Sequence, residues 1–215
     1  MSVHWVLLFV GLVTAVVYFP RAGRPLGPTG VALKTAPLVL FAAAAFLADV
    51  SPYLTAGLAL SALGDFTLTR RGRAGFLYGL SAFALAHVLY IIGFQSLADL
   101  PLWEAFATAP LAAIILLLLA LSSEIWLGSF AGSLRWPVRA YIVLITAMGL
   151  AALLLPKEYW LVTLGAGLFI LSDTVLSVRM FRMADDGAFA RAASRLLWAL
   201  YIAGQALIVA GVALN

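Results

Sequence analysis

The sequence predicts an all-α integral membrane protein with eight transmembrane helices, built as two four-helix halves in one domain spanning 1–215. Three observations predict it. Of 215 residues, 65% are hydrophobic and 10% charged, with a mean hydropathy of +1.10. A soluble domain carries about 45–50% apolar and about 25% charged residues. The apolar residues fall into long runs without the period-two alternation of a membrane barrel strand. Every arginine falls in, or within three residues of, alternate inter-run segments, which sets a direction across the bilayer. This composition excludes a soluble enzyme, a disordered chain and a coiled coil.

Crossing a bilayer takes about 20 mostly apolar residues, with a range of about 17–25. The first run, 3–19, has neither a basic n-region nor an A-x-A cleavage signal, so it reads as a span. Pro20, Pro25 and Pro28 with Gly23, Gly27 and Gly30 make the first loop. The second run is 32–49, and Pro52 separates it from the third, 53–69. Next come 75–97, closed by Pro101, and 106–123. The sixth, 137–155, lies between Pro137 and Pro156, and 159–178 and 194–214 complete the set.

Arg21 and Arg24 follow the first run. Arg70, Arg71 and Arg73 follow the third, Arg135 and Arg139 the fifth, and Arg179, Arg182, Arg191 and Arg195 the seventh. The opposite side carries only Lys157, beside Asp49, Asp99, Glu104 and Glu158. The positive-inside rule then places both termini outside the cytoplasm, in what we expect to be a bacterial cytoplasmic membrane. The same rule explains the pI of about 9.7 without a nucleic-acid partner. There is no cysteine, so disulfides, thiolate metal sites and cysteine nucleophiles are excluded. His4 and His87 are the only histidines, so no three-histidine metal site exists, and neither metal nor cofactor is expected.

Ionisable groups inside a span face a bundle interior or a watery cavity. Here they are Lys34, Asp65, His87 and Asp173, accompanied by Tyr90, Tyr141, Ser172, Tyr201 and Gln205. Asp65 lies five residues before Arg70, and Asp173 six before Arg179. At 1.5 Å per residue both sit about 7–9 Å inside the cytoplasmic boundary. Lys34 and Tyr141, in the first turns of their helices, share that level; His87 and Gln205 lie deeper. His87 and Tyr90 occupy one helix face, as do Trp198, Tyr201 and Gln205. Gly57, Ser61 and Gly64 give the Asp65 helix a small-residue stripe for close packing. Gly64-Asp65-Phe66-Thr67-Leu68 and Ser172-Asp173-Thr174-Val175-Leu176 form a weak internal repeat, each ending an inward-going helix.

Gly64-Asp65 with Leu68, Phe83-x-x-x-His87-x-x-Tyr90, Ser172-Asp173 with Leu176, and Tyr201-x-x-x-Gln205 together resemble the YhhN family, over nearly the whole chain. Lys34 and Pro37 are a looser match to its Lys-Pro element, with two residues between them. Tyr141 is similar to a family tyrosine. The family includes lysoplasmalogenases. The resemblance implies an eight-span enzyme hydrolysing the vinyl ether of a lysoplasmalogen to a fatty aldehyde and glycerophospho-ethanolamine or -choline.

Vinyl ether hydrolysis starts with a proton delivered to the β-carbon. An oxocarbenium ion forms, water adds, and the hemiacetal collapses. A proton donor, a neighbouring anion and a placed water are needed, as in glycosidases with a similar cation. Asp65 and Asp173 fit the first two roles, in either order. His87 with Tyr90 suits water placement or proton relay. Tyr201, Gln205 and Ser172 suit the ether oxygen and the glycerol hydroxyl. Lys34 and the 70–73 arginines, Arg71 among them, suit the phosphate. The expected partner is a lysophospholipid within the membrane; the oligomeric state stays open. A proton-coupled carrier is the rival reading, because buried carboxylates, a histidine and a repeat also suit proton transport. A third reading makes the polar cluster a packing device.

Overall fold

The computed structural model describes residues 2–70, 72–128, 130–183 and 187–215. Among them there is no strand. The helices are α1 (Val3–Tyr18), α2 (Pro28–Leu47), α3 (Pro52–Thr67), α4 (Arg73–Ala98), α5 (Ala105–Thr108), α6 (Pro110–Trp126), α7 (Arg135–Leu153), α8 (Trp160–Arg182) and α9 (Ala188–Ala213). Proline at the first position opens α2, α3 and α6, where its missing N–H has no helical partner to lose. Asp99 ends α4 in the left-handed conformation at φ 50°, and Asp49 does the same just beyond α2 at φ 52°.

Two differences from the sequence reading have physical causes. The fifth apolar run is not one helix. Pro110 disfavours helical geometry at the residue before it, and Ala109 accordingly turns to φ −140°, ψ 63° between α5 and α6. The helices also extend beyond the apolar runs on the arginine side: α2 begins at Pro28, α8 reaches Arg182 and α9 begins at Ala188. Hydropathy marks the hydrocarbon, whereas backbone hydrogen bonding continues into the polar interface.

Six segments are long and apolar enough to cross a membrane: Val3–Arg21, Pro28–Leu47, Arg73–Ala98, Gly132–Leu153, Lys157–Arg182 and Ala188–Ala213. The chain is a multi-pass membrane protein by this composition. Helices α3 and α6, of 16 and 17 residues, are shorter. At 1.5 Å per residue they reach about 24–26 Å, against about 30 Å of hydrocarbon.

Packing is most extensive between α8 and α9, then between α3 and α4, and between α1 and α2. The α8–α9 crossing is backbone on backbone. A methyl group on Gly204 would lie 2.7 Å from the Gly165 carbonyl oxygen. On the other side, Gly57 and Gly64 of α3 make room for the Tyr90 and Phe83 rings of α4. Helix α4 packs on α7, and α9 packs on α2. The core holds fully buried Phe41, Tyr90, Phe94 and Phe169. Leu111, Leu118, Leu121 and Ile125 point outward from α6. Hydrocarbon, unlike water, does not penalise such a surface.

Candidate active site

Asp65 stands near the end of α3, on the face that carries Ser61 and Leu58 one and two turns earlier. That face is buried, and the carboxylate is 4% exposed. The Tyr201 hydroxyl of α9 donates to Asp65 Oδ2 at 2.9 Å. Lys34 Nζ of α2 is 3.6 Å from Asp65 Oδ1 and donates to the Asp65 backbone oxygen at 3.3 Å. Three helices therefore meet at this carboxylate, and a cation neutralises it.

Asp173 occupies the matching place in α8 with different partners. The Tyr141 hydroxyl of α7 donates to Asp173 Oδ2 at 2.6 Å. His87 Nε2 of α4 lies 3.7 Å from the same oxygen, beyond hydrogen-bond range. His87 Nδ1 is 2.6 Å from the Phe83 carbonyl oxygen. A carbonyl only accepts, so Nδ1 carries the hydrogen, and in the neutral ring Nε2 is a bare acceptor. That Nε2 is buried and has no hydrogen-bond partner. Among the described residues, no lysine or arginine forms an ion pair with Asp173.

Asp173 also borders an opening. It and Tyr141 line a small, half-open cavity of about 50 Å³ between α6, α7 and α8. The walls are Leu116, Leu119, Ile145 and Ile170, and Ser123, Trp126 and Ser177 border its arginine-side end. Asp65 does not line it. His87 stands behind Asp173, fully buried.

Other expected site residues have other partners. The Tyr90 hydroxyl donates to Gln205 Oε1 at 2.7 Å, and Gln205 Nε2 donates to Ser61 Oγ at 3.3 Å. This fully buried chain joins α3, α4 and α9 apart from both carboxylates, so Tyr90 does not accompany His87 there. Ser172 returns its hydroxyl to the Phe169 carbonyl of its own helix at 2.7 Å. Lys34, in the second turn of α2 rather than the first, is committed to Asp65. The Arg70 guanidinium lies 4.4 Å above the Phe66 ring. Arg71 lies outside the described residues.

Phe169 is the central residue that the motifs missed. Its ring centroid is 4.8 Å from that of His87, 5.5 Å from Tyr201 and 6.2 Å from Tyr90. Its sequence signal is its place one turn before Asp173 on the same face. Among the described residues, no three His, Asp or Glu side chains are grouped as a metal site requires. The geometry presents one carboxyl group, backed by an unpartnered imidazole nitrogen, at the wall of an apolar cavity. The other carboxylate is held by a lysine and a tyrosine.

Comparisons with known proteins place this geometry in context. The chain is 31% identical over 187 residues to a Mycobacterium bovis protein named lysoplasmalogenase, covering 84% of this chain and 69% of that one. The same figures hold for a Mycobacterium tuberculosis protein of that name. It is 34% identical over 184 residues to a membrane protein of Escherichia coli O157:H7 named YhhN, covering 80% of each. No solved structure matches the chain. The YhhN family model matches residues 29–212, nearly the whole sequence and both carboxylates, so the chain belongs to the YhhN family.

Proposed function

We propose that this chain is an intramembrane hydrolase that cleaves the vinyl ether of lysoplasmalogens, with Asp173 as the proton donor. The observation that carries the reading is Asp173 at the wall of the α6–α7–α8 cavity, with no paired lysine or arginine among the described residues. The names of the mycobacterial relatives supply the substrate class. Tyr141 holds one carboxyl oxygen, which leaves Oδ1 to carry the proton. Transfer to the β-carbon of the vinyl ether leaves an oxocarbenium ion beside the Asp173 carboxylate, which stabilises it. Water adds to the α-carbon, with His87 Nε2 as the acceptor for its proton, relayed through Asp173. The hemiacetal then collapses to aldehyde and glycerophospho-alcohol, so one water is consumed for each bond broken. Asp65, neutralised by Lys34 and held by Tyr201, is the fixed element that positions α2, α3 and α9.

We further infer eight crossings in two parallel four-helix halves, with both termini outside the cytoplasm. If neither α3 nor α6 crossed, Arg70 and Arg73 would face the opposite side from all other described arginines, against the positive-inside rule. Each carboxylate takes one partner from its own half, Lys34 or Tyr141, and one from the other, Tyr201 or His87.

The test uses purified protein in detergent with 1-alkenyl lysophosphatidylethanolamine and its 1-acyl counterpart. Aldehyde release from the alkenyl lipid alone is the expected result. No aldehyde, together with proton-coupled uptake in sealed vesicles, would overturn the reading in favour of a carrier, since transport needs a closed membrane.

A further inference from the structure

We propose that Arg139 and Arg135, held by Glu124 at the arginine-side end of the α6–α7–α8 cavity, are the phosphate subsite for the lysophospholipid head group. The proposal rests on the hydrolase reading above. It moves the head group away from Lys34 and the 70–73 loop, where the sequence placed it.

Ser123, Trp126 and Ser177 line this end of the cavity; Glu124, Arg135 and Arg139 lie outside its lining, with Glu124 next to Ser123 in α6 and one turn after Ala120, which does line it. Arg139 donates to Glu124 through Nε at 2.7 Å and Nη2 at 2.6 Å, a two-pronged fork. Arg135 reaches the same carboxylate at 3.4 Å. Two guanidiniums thus share one carboxylate, so the group carries one net positive charge. Each guanidinium has five N–H donors, and most here are not spent on Glu124. The Arg139 and Arg135 side chains are 30% and 50% exposed, so an interfacial phosphate can reach them. Arginine's planar fork suits phosphate oxygens as it suits a carboxylate.

Depth agrees. Asp173 and Ser177 are one turn apart on α8, about 6 Å along the axis. In a 1-alkenyl lysophospholipid, five single bonds separate phosphorus from the vinyl ether oxygen, about 6 Å when extended. A phosphate at the cavity mouth therefore sets the scissile group level with Asp173, and the hydrocarbon chain continues along Leu119, Leu116 and Ile145. The alternative cation near a carboxylate, Lys34, is committed to Asp65, which does not line this cavity.

The test needs a ligand that binds without reacting. Saturated 1-O-alkyl lysophosphatidylethanolamine has no vinyl ether, and 1-O-alkylglycerol has the tail without the phosphate. Purified protein in non-ionic detergent is melted with each, and with inorganic phosphate. The phospholipid should raise the melting midpoint well above the shift given by alkylglycerol, and inorganic phosphate should give none. Arg139→Gln and Arg135→Gln should each lose this difference, whereas Arg24→Gln, on another loop, should keep it. With the vinyl ether substrate, Arg139→Gln should raise KM about tenfold and leave kcat within about twofold. An unchanged phospholipid shift in folded Arg139→Gln overturns the subsite, and so does a shift from phosphate alone that survives in that variant. If Arg139→Gln does not fold, Arg135→Gln decides by the same criterion. Wild-type protein that releases no aldehyde yet prefers the phospholipid through Arg139 refutes the hydrolase reading and supports the subsite.

Discussion

Lys34 and Asp65 bury opposite charges against each other, and the pair has consequences for each member alone. Removing one partner leaves an uncompensated charge in a low-dielectric interior. Lys34→Met should therefore destabilise the protein by about 3 kcal/mol. Adding Asp65→Asn to it should restore most of the loss. Melting midpoints in detergent would measure this, and single-variant losses that simply add would exclude the pairing. Among the described residues, no lysine or arginine pairs with Asp173. Asp173→Asn preserves size and still accepts the Tyr141 hydrogen bond, so the fold should survive while turnover falls about 100-fold or more. Under the donor assignment, Asp65→Asn in a folded sample should retain more activity than Asp173→Asn. The reverse order would exchange the two roles.

The crossing of α8 and α9 depends on the absence of side chains. A methyl on Gly204 would meet the Gly165 oxygen at 2.7 Å and the Phe169 nitrogen at 3.0 Å. Both are backbone atoms that cannot rotate away, so the helices must part. Gly204→Ala should cost about 1–3 kcal/mol, as overpacking does. It should also lower activity, since Phe169 and Tyr201 sit on the displaced faces. Gly167 of α8 has open space around its α-carbon. Gly167→Ala should be neutral or slightly stabilising through helix propensity. Thermal stability by fluorescence-detected size exclusion compares the two, and equal behaviour would contradict the close crossing.

At the scale of the molecule, the eight-crossing topology requires the short α3 and α6 to cross the bilayer. Fusions to Asn215 cannot test this, because six and eight crossings both return the chain to its starting side. Single cysteines can, since the chain has none of its own. Ser51→Cys, before α3, should react with an impermeant maleimide from outside intact cells. Thr69→Cys, after α3, should react only after permeabilisation. Labelling of both from one side would remove α3 from the set of crossings. Phosphatase and fluorescent fusions at Asn215 then test the orientation: the phosphatase should be active and the fluorescent protein dark.

The sequence by itself determined the membrane class, the order of the apolar runs and the gathering of the arginines into alternate connections. These follow from hydropathy, charge and a fixed rise per residue, all of which are local. It also named Tyr141, Tyr201 and His87, because a polar side chain in hydrocarbon requires a partner. The break at Pro110 was legible in the local pattern, although a continuous apolar run obscured it. Only the tertiary structure decided who pairs with whom. Tyr201 meets Asp65 across 136 residues, and Tyr90 meets Gln205 across 115. It also decided that Lys34 neutralises one carboxylate while a cavity opens on the other. The reason is that these helices are apolar on nearly every side, so no amphipathic stripe announces which face turns inward. Rotation about each axis is instead set by steric fit, by a Gly165 that only Gly204 can approach and by rings that fill the space over Gly57 and Gly64. Such fit exists only after the helices have assembled.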